Sequence, residues 1–239
     1  MQFLRSNLSE DPPNSSNDTT CSIMSLPFDL LLEALGRVAS SSFTDLFTIK
    51  QCCKDLRRAA EDEYVLERIS IEKIPLIHEW LKHEEASLFF KRCLESGNPE
   101  ALYRQGMVEY FTFLKVESGL DHLKTAMQKG HVEASYVYGM ILFCSGGEWS
   151  LQGLQILTTL VIGNIPKCRE RINKMMRAMW VNNINVVVPR QSRFCNHEEE
   201  EGNIRLTVTW DGYEQVMDVD CEACRWSREA KLFCNMLSR

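Results

Sequence analysis

The sequence predicts a mainly α-helical chain in three parts. An N-terminal three-helix unit comes first. A short α-solenoid of about 33-residue helix-turn-helix repeats follows, and a small C-terminal β-hairpin with a helix closes the chain. Three observations carry this reading. Apolar residues recur at helical spacing from Leu26 to Ala59. Gly97, Gly130 and Gly163 fall 33 residues apart, twice over. The apolar period then changes from helical to alternating on both sides of Asp211-Gly212.

The first unit starts at Ser25-Leu26-Pro27-Phe28-Asp29-Leu30-Leu31-Leu32-Glu33. Pro27 fits the first turn of a helix, where its missing N–H is an orphan anyway. Asp29 complements the positive end of the helix dipole. Leu31, Ala34, Leu35 and Val38 form a stripe, whereas Leu30 and Leu32 lie off it. A helix apolar on more than one side must bury more than one side, against its own domain or a partner. Ser42 or Thr44 can cap a second helix carrying Phe43, Leu46, Phe47 and Ile49, and Cys53, Leu56 and Ala59 belong to a third.

This order of Leu-Pro, a leucine-rich helix, an apolar helix, then Cys53-Lys54 and a short basic helix resembles the F-box. The resemblance covers about 45 residues and departs from the family at Leu56, where a Trp is usual. It implies docking to the Skp adaptor of a cullin–RING ubiquitin ligase. The positions that make this contact in the family map onto Leu26, Pro27, Leu30, Leu31, Leu46, Ile49 and Lys54. Leu35 and Phe47 read as packing residues of the small bundle.

The repeat is explicit. Asn98-Pro99-Glu100-Ala101-Leu102-Tyr103-Arg104-Gln105-Gly106-Met107 and His131-Val132-Glu133-Ala134-Ser135-Tyr136-Val137-Tyr138-Gly139-Met140 share Glu, Ala, Tyr, Gly and Met at one offset of 33. A period in the low thirties marks a helix–turn–helix solenoid. Gly97 and Gly130 sit where helices end and φ can be positive. Gly106 and Gly139, inside helices, each cost about 1 kcal/mol against Ala. A cost incurred twice at the same place implies close helix–helix approach, and Ala101 and Ala134 fit the same contact. The pattern resembles the Sel-like branch of tetratricopeptide-type repeats. The third repeat decays after Gly163, so the array needs capping by its neighbours.

Five Lys and Arg side chains between Lys167 and Trp180 read as a solvated face, and Met175, Met176 and Met179 as packing. His122 and His131 read as surface or turn residues, and Cys93 and Cys144 as apolar fillers.

At the C-terminus, Ile204, Leu206, Val208 and Trp210 alternate before Asp211-Gly212, a hairpin signal. Trp226, Ala230, Phe233 and Leu237 then form one helical stripe. Cys195 and His197 precede the hairpin, and Cys221 and Cys224 follow it. Paired ligands flanking a hairpin suit a structural zinc, which favours four N/S donors in a closed tetrahedron. Cys234 reads as packing.

Composition narrows the function. A net charge of −6 argues against general nucleic-acid binding. No run of 18 apolar residues occurs, so no transmembrane helix is expected. Ser6 to Thr20 is rich in Ser, Asn, Asp, Pro and Thr, and residues 1–20, which carry no continuous apolar signal segment, read as a disordered tail. Ten cysteines without a secretory signal imply reduced thiols or metal ligands, hence cytoplasm or nucleus. No nucleotide-binding or hydrolase motif is present, and no catalytic residue is expected.

The predicted organisation is a tail over 1–20, an F-box over 21–70, Sel-like repeats over 76–180 and a Cys/His module over 181–239. As a whole the chain resembles a plant-type F-box protein with Sel-like repeats and a Cys-rich C-terminal module. The resemblance implies a non-catalytic substrate receptor that contacts cullin through the Skp adaptor and recruits a protein client through the repeats or the C-terminal module. The other reading is a helical-repeat scaffold that binds the adaptor outside a ligase, or no longer binds it.

Overall fold

A computed structural model describes residues 23–76, 84–179, 181 and 222–237. Among these residues the chain is mainly helical and contains no strand. The polar tail over 1–20, and the hairpin around Asp211-Gly212, lie outside the described residues.

The N-terminal unit has four helices where the sequence predicts three: α1 (Phe28–Ser41), α2 (Phe43–Ile49), α3 (Lys54–Ala60) and α4 (Glu63–Arg68). The predicted third helix is split at Asp62, whose carboxylate accepts the Tyr64 N–H at 2.9 Å and starts α4 as an N-cap. Ser42 caps α2, its hydroxyl accepting the Asp45 N–H at 3.2 Å. Pro27 stands one position earlier than expected, as the N-cap of α1, and its carbonyl accepts the Leu31 N–H at 3.0 Å. Leu31, Leu35, Leu46, Leu56, Val65 and Leu66 form the core, which continues into Phe90, Cys93 and Ala101.

The repeats follow as α5 (Glu84–Glu95), α6 (Pro99–Phe111), α7 (Val116–Gln128), α8 (Val132–Ser145), α9 (Gly147–Thr158) and α10 (Ile165–Ala178). Gly97 (φ 74°) and Gly130 (φ 83°) end α5 and α7 in the left-handed region. Around each, two backbone bonds recur at the 33-residue offset: Gly97 N–H to Leu94 and Asn98 N–H to Cys93, then Gly130 N–H to Met127 and His131 N–H to Ala126. This is the glycine-dependent helix stop, formed twice. Gly163 lies in a 3₁₀ turn without a positive φ, which is how the third repeat departs from the first two.

Gly106 and Gly139 occupy close helix crossings, as their repeated cost predicts. A Cβ on Gly106 would stand 2.8 Å from Leu123 Cγ, and one on Gly139 2.9 Å from Leu157 Cδ2. Each has a partner on the facing helix. Gly119 of α7 abuts the Tyr110 backbone and Gly153 of α9 the Phe143 backbone, so α6 packs tightly on α7 and α8 on α9. Ala101 and Ala134 are fully buried in separate cores: Ala101 in the core shared with the N-terminal unit, Ala134 in that of the repeats.

The array is closed at both ends. The N-terminal unit packs through α4 on α5. At the far end α11 (Glu222–Leu237) lies against α8, α9 and α10, burying Trp226, Ala230, Phe233 and Leu237 as one stripe. Met175, Met176 and Met179 pack in the same core.

Candidate docking surface

The residues mapped to adaptor docking divide into an exposed group and a supporting group. Leu26 is 41% exposed and Leu30 55%; Pro27 and Lys54 are also exposed. Ile49 is half-buried and packs against the core of its unit. Leu31 and Leu46, at 4% and 1% exposure, lie inside that core. Their side chains hold α1 and α2 together. Leu35 is buried as expected, and Phe47 stacks on Phe43 with ring centroids 4.5 Å apart.

Two further exposed apolar residues border Leu26 and Leu30 in sequence: Ile23, and Phe28 with the Arg58 guanidinium 5.9 Å from its ring centroid. Sequence reasoning overlooked Phe28. The signal was its place between Pro27 and Asp29, off the buried stripe that begins at Leu31. Ile23, Leu26, Phe28 and Leu30 together make a run of exposed apolar side chains, with Arg58 facing the Phe28 ring.

The unit beneath is held by polar contacts. The Tyr64 hydroxyl donates to Glu33, whose carboxylate also pairs with Arg37 at 3.0 Å, and these two bonds hold the Glu33 carboxyl below its ordinary range. Lys50 pairs with Glu61 at 2.9 Å and lowers its pKa in the same way. A Cβ at Gly36 would meet Tyr64 Cε1 at 3.1 Å, so α1 and α4 are in close contact.

The unit is also fixed to the repeats. Asn98 is buried at the start of α6, where its Oδ1 accepts the Ala101 N–H at 3.1 Å. Its Nδ2 group donates to the carbonyls of Leu66, Glu67 and Ile69 at 2.9–3.0 Å. One side chain thereby caps α6 and satisfies the last carbonyls of α4. Arg104, 2% exposed, donates to the Ile74 carbonyl at 2.9 Å and pairs with Glu100 at 2.7 Å.

The repeat equivalent of Asn98 is His131, the N-cap of α8. Its Nδ1 accepts the Ala134 N–H at 3.1 Å, which places the ring proton on Nε2, 2.8 Å from Glu100 Oε2. His131 is thus a cap and an inter-repeat link. Arg171 of α10 reaches both Glu100 and its repeat equivalent Glu133, at 2.8 and 2.9 Å. Burial opposes charge on Glu100, but the His131 hydrogen bond, Arg104 and Arg171 prevail and hold its pKa down to about 2. The expected solvated basic face of α10 is therefore interrupted: Arg171 ties repeats together, and Arg169 pairs with Glu229 of α11 at 2.5 Å, where the Tyr136 hydroxyl also donates. His122 pairs with Glu109 at 2.9 Å.

Of the candidate zinc ligands, Cys195, His197 and Cys221 lie outside the described residues. Cys224 is half-buried in the first turn of α11.

Comparison with known proteins agrees with this layout. The model of the plant tetratrico peptide repeats family matches residues 72–177, which include α5 to α9 and nearly all of α10. The F-box protein At2g35280 of Arabidopsis thaliana is 34% identical over 121 residues, covering 51% of this chain and 73% of its own length. A second Arabidopsis thaliana protein, At1g67623, named provisionally as an F-box protein, is 33% identical over 181 residues, or 73% of this chain. The chain spans 60% of that relative's length. The F-box protein At1g67340, also from Arabidopsis thaliana, is 29% identical over 56% of this chain and 36% of its own. No solved structure matches. Placed beside the four-helix unit and the glycine-paired repeats, these matches establish that the chain belongs to the F-box proteins, in their plant branch with tetratricopeptide-type helical repeats.

Proposed function

We propose that the chain is the substrate-recognition subunit of a Skp–cullin–F-box ubiquitin ligase. The observation that carries this reading is the exposed apolar run at the start of α1. Leu26, Phe28 and Leu30 face solvent at 41–55% exposure on a unit whose interior is otherwise filled. Burying such side chains under a partner is worth roughly 1.5–3 kcal/mol each when complete, enough for a few anchors to dominate the contact. Lys54 supplies a charged rim, and Leu31 and Leu46 support the face from within. Catalysis belongs to the other subunits, and the client docks on the repeats or on the C-terminal module. Cytoplasm and nucleus are the compartments this role requires.

A structural zinc held by Cys195, His197, Cys221 and Cys224 is part of the same proposal. It rests on the sequence spacing and on Cys224 standing at a helix N-terminus, a position that favours thiolate.

The second reading is a scaffold that binds the adaptor without a ligase, favoured by Leu56 at the position where the family usually has Trp. Co-purification of the full chain separates the two. Recovery of both the Skp adaptor and cullin supports the receptor. Adaptor without cullin supports the scaffold, and recovery of neither contradicts the docking claim.

A further inference from the structure

The last two helices are electrically unlike the rest of the chain. α10 carries five Lys and Arg side chains against one Glu, and α11 three against two, a net of +5 on a chain whose formal charge is −6. The other residues therefore sum to −11. α10 and α11 pack on each other, so the basic excess is gathered at one place in the fold.

Part of this charge is used internally. Arg171 holds Glu100 and Glu133, and Arg169 holds Glu229. Lys167, Lys174, Arg177 and Arg228 are exposed and form no ion pair among the described residues. Lys167, Glu170, Lys174 and Arg177 follow one another at intervals of three, four and three, so they share one face of α10, with Glu170 the single acid in the row. Cys168, Ile172, Met175 and Met176 bury the opposite face. Arg228 adjoins Glu229, the residue that Arg169 binds, which places it beside the seam of the two helices. Lys167 also stands in the first turn of α10. That turn has no acidic residue, and the Asn164 side chain makes no capping bond. The helix dipole is positive there, so Lys167 adds to an uncompensated charge, and an anionic partner relieves both.

We propose that the exposed face of α10, with Arg228 at its border, docks a carboxylate-rich segment of the client. This rests on the receptor reading above and names the chemistry that the client presents. Lys167 to Arg177 spans about 15 Å along the helix, a length that an extended run of about five residues covers. The contact is electrostatic and weakens as salt is added. Charge complementarity favours a short acidic run over a nucleic acid: the run touches this face alone, whereas a long polyanion also meets the field of the acidic remainder.

The test is fluorescence anisotropy on the full chain with a fluorescein-labelled hexaglutamate peptide, and hexaglutamine as the neutral control. Hexaglutamate should bind and hexaglutamine should not, and binding should weaken about tenfold or more between about 50 and about 300 mM salt. Lys167→Glu with Lys174→Glu should weaken it about tenfold or more. Lys115→Glu with Lys124→Glu makes the same charge change on exposed lysines elsewhere, and should leave binding within about twofold. No hexaglutamate binding by the wild type overturns the proposal, even where a variant fails to fold. Equal losses in the two double variants overturn it, because the attraction is then general. So does a single-stranded oligonucleotide that binds this face more tightly than the peptide. So does peptide binding that emerges only when Glu198 to Glu201 are replaced by Gln, because the chain's own acidic run then takes the face. Peptide binding is read without the adaptor. Its failure while the Skp adaptor and cullin co-purify removes the acidic client and leaves the receptor; its success while neither co-purifies leaves the face and removes the receptor.

Discussion

The Asn98 side-chain amide donates to the Ile69 carbonyl at 2.9 Å, and this bond joins the N-terminal unit to the first repeat. The same amide reaches Leu66 and Glu67, while its oxygen caps α6. Asn98→Ala removes a cap worth about 1 kcal/mol and leaves buried carbonyls unsatisfied at about 1–3 kcal/mol. We expect a loss of about 2–4 kcal/mol in urea unfolding. Asn98→Asp should restore little of it, because it keeps the cap but turns a carboxylate toward three carbonyls. Recovery of full stability by Asp would contradict the junction described.

Glycine requirements should differ sharply along the chain. A Cβ on Gly119 would lie 2.7 Å from the Tyr110 backbone nitrogen, whereas one on Gly163 meets nothing within 4 Å. Gly119→Ala should cost about 1–3 kcal/mol or more, since backbone rather than a flexible side chain must shift. Gly163→Ala should be neutral or mildly stabilising, because it restricts the unfolded chain. Thermal melts of the two variants test the contrast.

Acid should reach the inter-repeat network through Glu100. Its folded pKa, about 2, lies below its ordinary value of 4.5. The stabilisation is therefore present above pH 4.5 and is lost as pH falls through about 2. The shift corresponds to about 3 kcal/mol. Glu100→Gln should lower stability at pH 7 and flatten the pH dependence between pH 5 and pH 2 relative to wild type. Parallel slopes in the two proteins would place the acid sensitivity elsewhere.

Metal analysis of the purified, reduced chain should find about one zinc per molecule if Cys195, His197, Cys221 and Cys224 form a closed tetrad. Cys224→Ala should remove it. A folded, reduced protein without zinc would reject the tetrad.

The sequence carried the repeat well and the tertiary contacts poorly. Gly106 and Gly139 were legible because a helix-interior glycine is costly and the cost recurs at a fixed offset. Their partners Gly119 and Gly153 were not, because their spacing misses the 33-residue offset by one. The break at Asp62 was hidden in a polar stretch that also suits a helix surface, and only the cap to Tyr64 decides it. Arg169 and Arg171 read as solvated because their partners are distant in sequence: Glu229 for one, Glu100 and Glu133 for the other. In the docking stretch, the pattern named the helix but could not separate Leu30, which faces solvent, from Leu31, which fills the core.

That separation gives the most direct test. Affinity of the Skp adaptor for the full chain should be measured for wild type, for Pro27→Ala with Leu30→Ala, and for Leu46→Ala, with helicity followed in each. The double variant should lose adaptor binding while keeping its helicity and unfolding midpoint. Leu46→Ala should instead lose about 2–5 kcal/mol of stability, because it opens a cavity in the core. Undiminished adaptor binding by a helical double variant would contradict the account and place the docking face elsewhere.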